Sequence, residues 1–78
     1  MSIAEERERG MLWRLRRLTA RYRIMDVAAN CGISMQRYSD IERGCDFATE
    51  AERKLIEEFL PPLPDVITRA LIQEPKTN

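Results

Sequence analysis

The chain has 78 residues, 13 basic and 13 acidic, with two cysteines, no histidine and a formal net charge of zero. That length makes one domain, residues 1–78, whose small core leaves stability marginal and often in need of a partner subunit. Two cysteines without histidine exclude a disulfide scaffold and a Cys–His zinc site, and no apolar run reaches the length of a membrane span. With no recognisable signal peptide either, a cytoplasmic protein is expected.

The spacing predicts five helices and no strand. The first runs from about Ile3 to Tyr22, opened by Ser2 and Glu5 at capping-box spacing. Leu12, Leu15, Leu18 and Tyr22 form its apolar side, with Met11 and Trp13 beside them and Trp13 read as core. Gly10 is expected to weaken its first half, so that the residues before it fray or bend away. A second helix covers about Ile24–Asn30 and a third about Met35–Arg43, closed by Gly44. Thr49 and Glu52 make another capping-box pair and start a fourth helix. Its apolar positions are Ala51, Leu55, Ile56, Phe59 and Leu60, and Pro61 and Pro62 stop it. A fifth, about residues 64–73, has Pro64 in its first turn, where the fixed φ of proline fits, and Asp65 at the positive end of the dipole. Residues 74–78 are expected to be a disordered tail.

Charge is unevenly spread. From Arg9 to Arg37 there are seven basic residues against one acid, a balance of +6, whereas Tyr38 to Asn78 carries −4 and the first eight residues −2. A basic half and an acidic half suit a chain that lays one face on phosphate, although a solvated arginine-rich helix face fits the charge alone equally well.

The most specific stretch is Val27–Gly44, V-A-A-N-C-G-I-S-M-Q-R-Y-S-D-I-E-R-G. Ala28 falls where two helices must cross closely. Gly32, four residues on, can end a helix in the left-handed conformation, and Ser34 can cap the next one. Val27, Cys31, Ile33, Tyr38 and Ile41 are spaced to bury one side of both helices, with the Tyr38 hydroxyl reaching the edge. Met35, Gln36, Arg37 and Asp40 then face outward. Packing is the role expected of Cys31, while Cys45 is expected to be exposed.

These residues resemble the Cro and phage-repressor type of helix-turn-helix, often called Xre, with the motif at about residues 24–44 and the likeness extending over roughly Leu12–Leu60. The resemblance implies an all-α, compact, lambda-repressor-like bundle of five helices that binds DNA in the major groove, commonly as a twofold dimer on an inverted repeat. It places Met35, Gln36, Arg37 and Asp40 as base-reading residues. Gln36 can pair bidentately with adenine, Arg37 with guanine, and Met35 can meet a thymine methyl. Arg21, Arg23, Ser34 and Arg43 are the expected phosphate contacts. The pattern departs from the family at Ile24, where a phosphate-gripping glutamine is common. It departs again at Asp40, an acid better suited to hold Arg37 or Arg43 on the same helix.

The function these readings point to is a sequence-specific transcriptional regulator, a homodimeric repressor on a double-stranded DNA operator. It would be bacterial or phage-encoded, cytoplasmic and nucleoid-associated when bound. Val66, Ile67 and Leu71 of the last helix are the expected dimer contact. The competing reading keeps the fold and gives it a protein partner, as an antiactivator or antitoxin. No enzyme activity, cofactor or metal is expected, since no histidine, nucleophile–base pair or glycine-rich phosphate loop is present.

Overall fold

The computed structural model describes residues 2–72. Among them are five helices and no strand: α1 (Ile3–Thr19), α2 (Ile24–Cys31), α3 (Met35–Glu42), α4 (Glu50–Phe59) and α5 (Asp65–Ile72). The expected tail, residues 74–78, lies outside the described residues, as does the Leu71 side chain. The three main helix contacts are α1 on α3, α2 on α3 and α2 on α4. The core between them is Trp13, Val27, Ala28, Cys31, Tyr38, Ile41, Ala48, Ile56 and Leu60. Tyr22 and Phe59 stack at its edge with ring centroids 5.0 Å apart.

Side-chain caps start three of the helices. Ser2, Ser34 and Thr49 accept from the backbone N–H groups of Glu5, Arg37 and Glu52, each satisfying a donor that has no partner within the helix. At α2 only the reverse bond forms, from Arg23 N–H to the Asp26 carboxylate at 2.7 Å. Three helices also end alike. Tyr22, Ile33 and Cys45 donate back to the carbonyls of Arg17, Ala28 and Asp40, while Arg21, Gly32 and Gly44 donate to those of Leu18, Ala29 and Ile41. This double wrap needs a left-handed residue in the middle. Gly32 and Gly44 supply it at φ 68° and 73°, and Arg21 does so at φ 63°. The turn at Arg21 ends α1 at Thr19 and leaves Tyr22 outside the helix.

Two expectations for α1 are corrected. Gly10 marks no fraying point. It is buried inside a continuous helix where α1 crosses the end of α3, and a Cβ there would lie 2.4 Å from the Glu42 carbonyl oxygen and 2.7 Å from that of Ile41. The glycine is what lets the two backbones touch. Nor is the leucine row the buried side. Leu12 and Leu18 are exposed, and the face turned inward is Glu6, Gly10, Trp13 and Arg17. Hydrophobic spacing could not show this, because one of the inward residues is an arginine with its own carboxylate.

That carboxylate is Glu42. Arg17 Nε donates to one oxygen at 2.7 Å and its terminal nitrogen to the other at 3.2 Å, with both side chains more than nine-tenths buried. A further Arg17 nitrogen donates to the Tyr22 carbonyl. Each buried charge is therefore matched, which is the condition for tolerating them in a small core. Glu42 raises the pKa of Arg17 still further, outweighing the opposite effect of burial. Tyr38 is fully buried, hydroxyl included, so the expectation that this group reaches the edge is also corrected. Burial, with the nearby Glu42 carboxylate, pushes its phenol up.

Trp13 and Arg16 of α1 also grip α4. Trp13, 1% exposed, donates its indole N–H to Glu57 at 2.6 Å. Arg16 donates to the Glu57 carboxylate and to the backbone carbonyls of Glu57, Leu60 and Pro61. Those carbonyls close α4, whose C-terminus has no left-handed residue, so a cation from another helix supplies the missing donors. Burial acts to raise the Glu57 pKa, but the bonds from Arg16 and Trp13 hold it below the usual carboxylate value.

Candidate nucleic-acid interface

The unit formed by α2, residues 32–34 and α3 presents one side to the core and one to solvent. Val27, Ala28, Cys31, Tyr38 and Ile41 are buried, and Ile33 packs against them. Met35 and Gln36 are exposed in the first turn of α3, Met35 at 55%. Ser34 accepts from Arg37 N–H at 3.0 Å, so its hydroxyl fixes the start of that helix.

Along the outer side of α3 a short polar chain forms. Asp40 Oδ1 accepts from Gln36 Nε2 at 3.0 Å and from Arg43 at 2.6 Å. The residues sit one helical turn apart on either side of the acid, the spacing at which such groups meet. Asp40 thus acts within the helix, orienting a glutamine and an arginine. Gln36 retains its carbonyl oxygen and a second amide hydrogen for an outside partner.

Arg37 is occupied differently from what its position suggests. Its Nε and one terminal nitrogen each bond Glu52 at 2.7 Å, the other terminal nitrogen bonds Asp46 at 2.7 Å, and the Phe47 carbonyl takes a further bond at 3.2 Å. The fork is filled by the segment leading into α4. Glu52 also accepts from Thr49 N–H at 2.8 Å. The Arg37 bond, strengthened by Thr49 against the opposing effect of burial, holds the Glu52 carboxyl down at about 2. Reading a guanine with Arg37 would require these bonds to open. The partner lies fifteen residues on and could not be found by helical spacing.

The remaining expected residues fall into two groups. Arg21 and Arg23 are exposed at the joint between α1 and α2, and their side chains form no ion pair with any described residue. On α5, Val66 is 74% exposed and Ile67 partly so. Cys31 is buried, which pushes its thiol up, and Cys45 is exposed. No cluster of residues able to hold a metal occurs among the described residues.

Sequence reasoning missed a groove of about 480 Å³ between α1, the start of α2 and the end of α3. Arg7, Arg14, Arg17 and Arg43 line it around Met11, Ile24 and Ser39, with Glu42 as its only acid. The signal in the sequence was the spacing of Arg7, Met11 and Arg14, a row on one side of a helix. The apolar row of leucines beside it masks that pattern. Comparisons with protein-family models, curated proteins and solved structures give no match for this chain.

Proposed function

We propose that the chain is a sequence-specific DNA-binding transcriptional regulator built on a lambda-repressor-like helix-turn-helix. It acts as a homodimeric repressor that occupies an inverted-repeat operator and excludes polymerase. The observation that carries this reading is the exposed first turn of α3. Met35 and Gln36 project from a helix whose start is fixed by Ser34 and Gly32 and whose other side is core. A helix so held can enter a major groove with its N-terminal side chains at the base edges. Gln36, steadied by Asp40, has the donor and acceptor an adenine edge requires, and Met35 suits a thymine methyl. Arg21, Arg23 and Arg43 supply phosphate contacts, Arg37 serves the scaffold, and α5 supplies the dimer contact.

The test is a mobility-shift titration on the DNA upstream of the gene and on an unrelated duplex. Gln36→Ala should lower affinity for the upstream site by about 1–3 kcal/mol and relax one base position. Equal loss on both duplexes would remove the base-reading role. A second reading, an antiactivator or antitoxin whose main partner is another protein, draws on the apolar exposure of α5 at Val66. A monomer in scattering experiments with no affinity for either duplex would favour it.

A further inference from the structure

The groove between α1 and α3 has an excess of cationic groups with no acid to meet them. Arg17 is matched by Glu42, and Arg43 is bonded to Asp40. Arg7 and Arg14 are exposed and form no ion pair with any described residue. They stand seven residues apart on one side of α1, about 10 Å along the helix axis. Between them, Met11 and Ile24 give the groove an apolar floor, and Ser39 of α3 supplies a hydroxyl at its wall.

The location of these arginines matters as much as their charge. Arg7 lies over Gly44, where a Cβ would come within 2.4 Å of its Cγ, so its stem is seated on the end of α3. Gly10 brings α1 into backbone contact with the same helix end. The Arg7 stem, and the α1 backbone that carries Arg14, are thereby held at a fixed offset from the helix that carries Gln36 and Asp40. A flexible basic tail would have no such registration.

We infer that Arg7 and Arg14 form a phosphate seat on α1 that receives the backbone of a DNA strand while the first turn of α3 faces the bases. This rests on the DNA-binding reading above and extends it to a helix outside the motif. Guanidinium groups suit the role because they bond phosphate through two parallel N–H groups. Contacts of this kind position a duplex without reading its sequence. The seat accounts for how a chain of zero net charge could hold DNA: the attraction is local, and the acid in the groove, Glu42, is already paired with Arg17.

The experiment uses the full chain with Arg7→Gln and Arg14→Gln together, which removes both charges but keeps the methylene stem over Gly44. Thermal melts followed by circular dichroism establish that the variant is folded. Fluorescence polarisation with the upstream duplex and with an unrelated duplex, across a series of salt concentrations, then gives the salt dependence of affinity. Removing one arginine–phosphate bond should lower the slope of log affinity against log salt by about 0.9, so the double variant should lose about 1.8 per protomer, about 3.6 for a bound dimer, on both duplexes. The ratio of the two affinities should stay unchanged, whereas Gln36→Ala should change that ratio and leave the slope alone.

An unchanged slope in the double variant, with wild-type chain binding DNA, would overturn the seat and leave the regulator reading standing. Wild-type chain that binds neither duplex at low salt would overturn both together. Vesicles containing phosphatidylserine form the remaining arm. Arginine-dependent binding to them without binding to duplex would overturn the DNA occupant and assign the groove to a membrane surface.

Discussion

Glu42, at the end of α3, receives Arg17 of α1 beneath the helix, whereas Arg37, in its first turns, reaches out to Glu52 at the start of α4. Both are arginine–glutamate pairs joined by two bonds, and both tie α3 to a neighbour. They differ in solvent. The Arg17 and Glu42 side chains are 9% and 4% exposed, those of Arg37 and Glu52 31% and 16%. The first pair is a condition of the core, since either charge alone would be stranded there. The second is a latch at the surface, worth less and reversible.

The comparison breaks most visibly at Arg17. Arg17→Ala should cost about 3–5 kcal/mol by leaving Glu42 buried and unmatched. That is enough to unfold much of so small a domain, as urea titration would reveal. Replacing both partners, with Arg17→Met and Glu42→Leu, should bring stability back to within about 1 kcal/mol of the wild type. A double variant as unstable as the single one would mean that the pair does more than satisfy itself.

Next in size is Gly10→Ala. Helix propensity alone favours alanine by about 1 kcal/mol. The added Cβ would collide with the carbonyls of Ile41 and Glu42, however, and relieving it moves the joint that carries the Arg17–Glu42 pair. A net loss of about 1–3 kcal/mol is expected in thermal melts. A gain would mean that the helices part at little cost.

At the surface latch, Glu52→Gln should cost about 1 kcal/mol at neutral pH. Its pH dependence has a definite sign. The carboxyl titrates near 4.5 when unfolded and about 2 when folded, so its contribution is full above 4.5 and fades as pH falls towards 2. The stability difference between wild type and variant should shrink over that window. A difference that persists unchanged at pH 2 would locate the effect elsewhere than in the charge.

The smallest effect belongs to Arg21→Gly. Relief of the left-handed arginine, offset in part by the greater freedom of an unfolded glycine, should raise stability by about 0.5 kcal/mol, as read from the melting temperature. The same change should lower the salt slope of DNA binding by about 0.9 per protomer if Arg21 holds a phosphate. Stability and binding would then move in opposite directions.

How much the sequence disclosed follows from how far each cause reaches. Ser34, Gly32, Thr49 and Gly44 act within a few residues, so the starts and stops of α2, α3 and α4 were legible within a residue or two. Ile56 and Leu60 also fell where helical spacing put them. The inward face of α1 was not legible, because Arg17 is buried only through a glutamate 25 residues away and Gly10 is required only by another helix's carbonyls. For the candidate site the same limit applies. The Asp40–Arg43 bond lies within one helix and was anticipated, while the bonds of Arg37 to Glu52 and Asp46 cross into the next segment and were not.

The termination of α4 bears on the order in which the chain can fold. α1, α2 and α3 carry their own stops, each made by residues close in the chain. α4 takes its last donors from Arg16, more than 40 residues earlier in the chain. Synthesis from the N-terminus delivers that arginine before α4 exists, so the end of α4 can be completed as soon as it emerges. A circular permutant that moved α1 to the C-terminus would leave the final turn of α4 without its donors until the chain was finished.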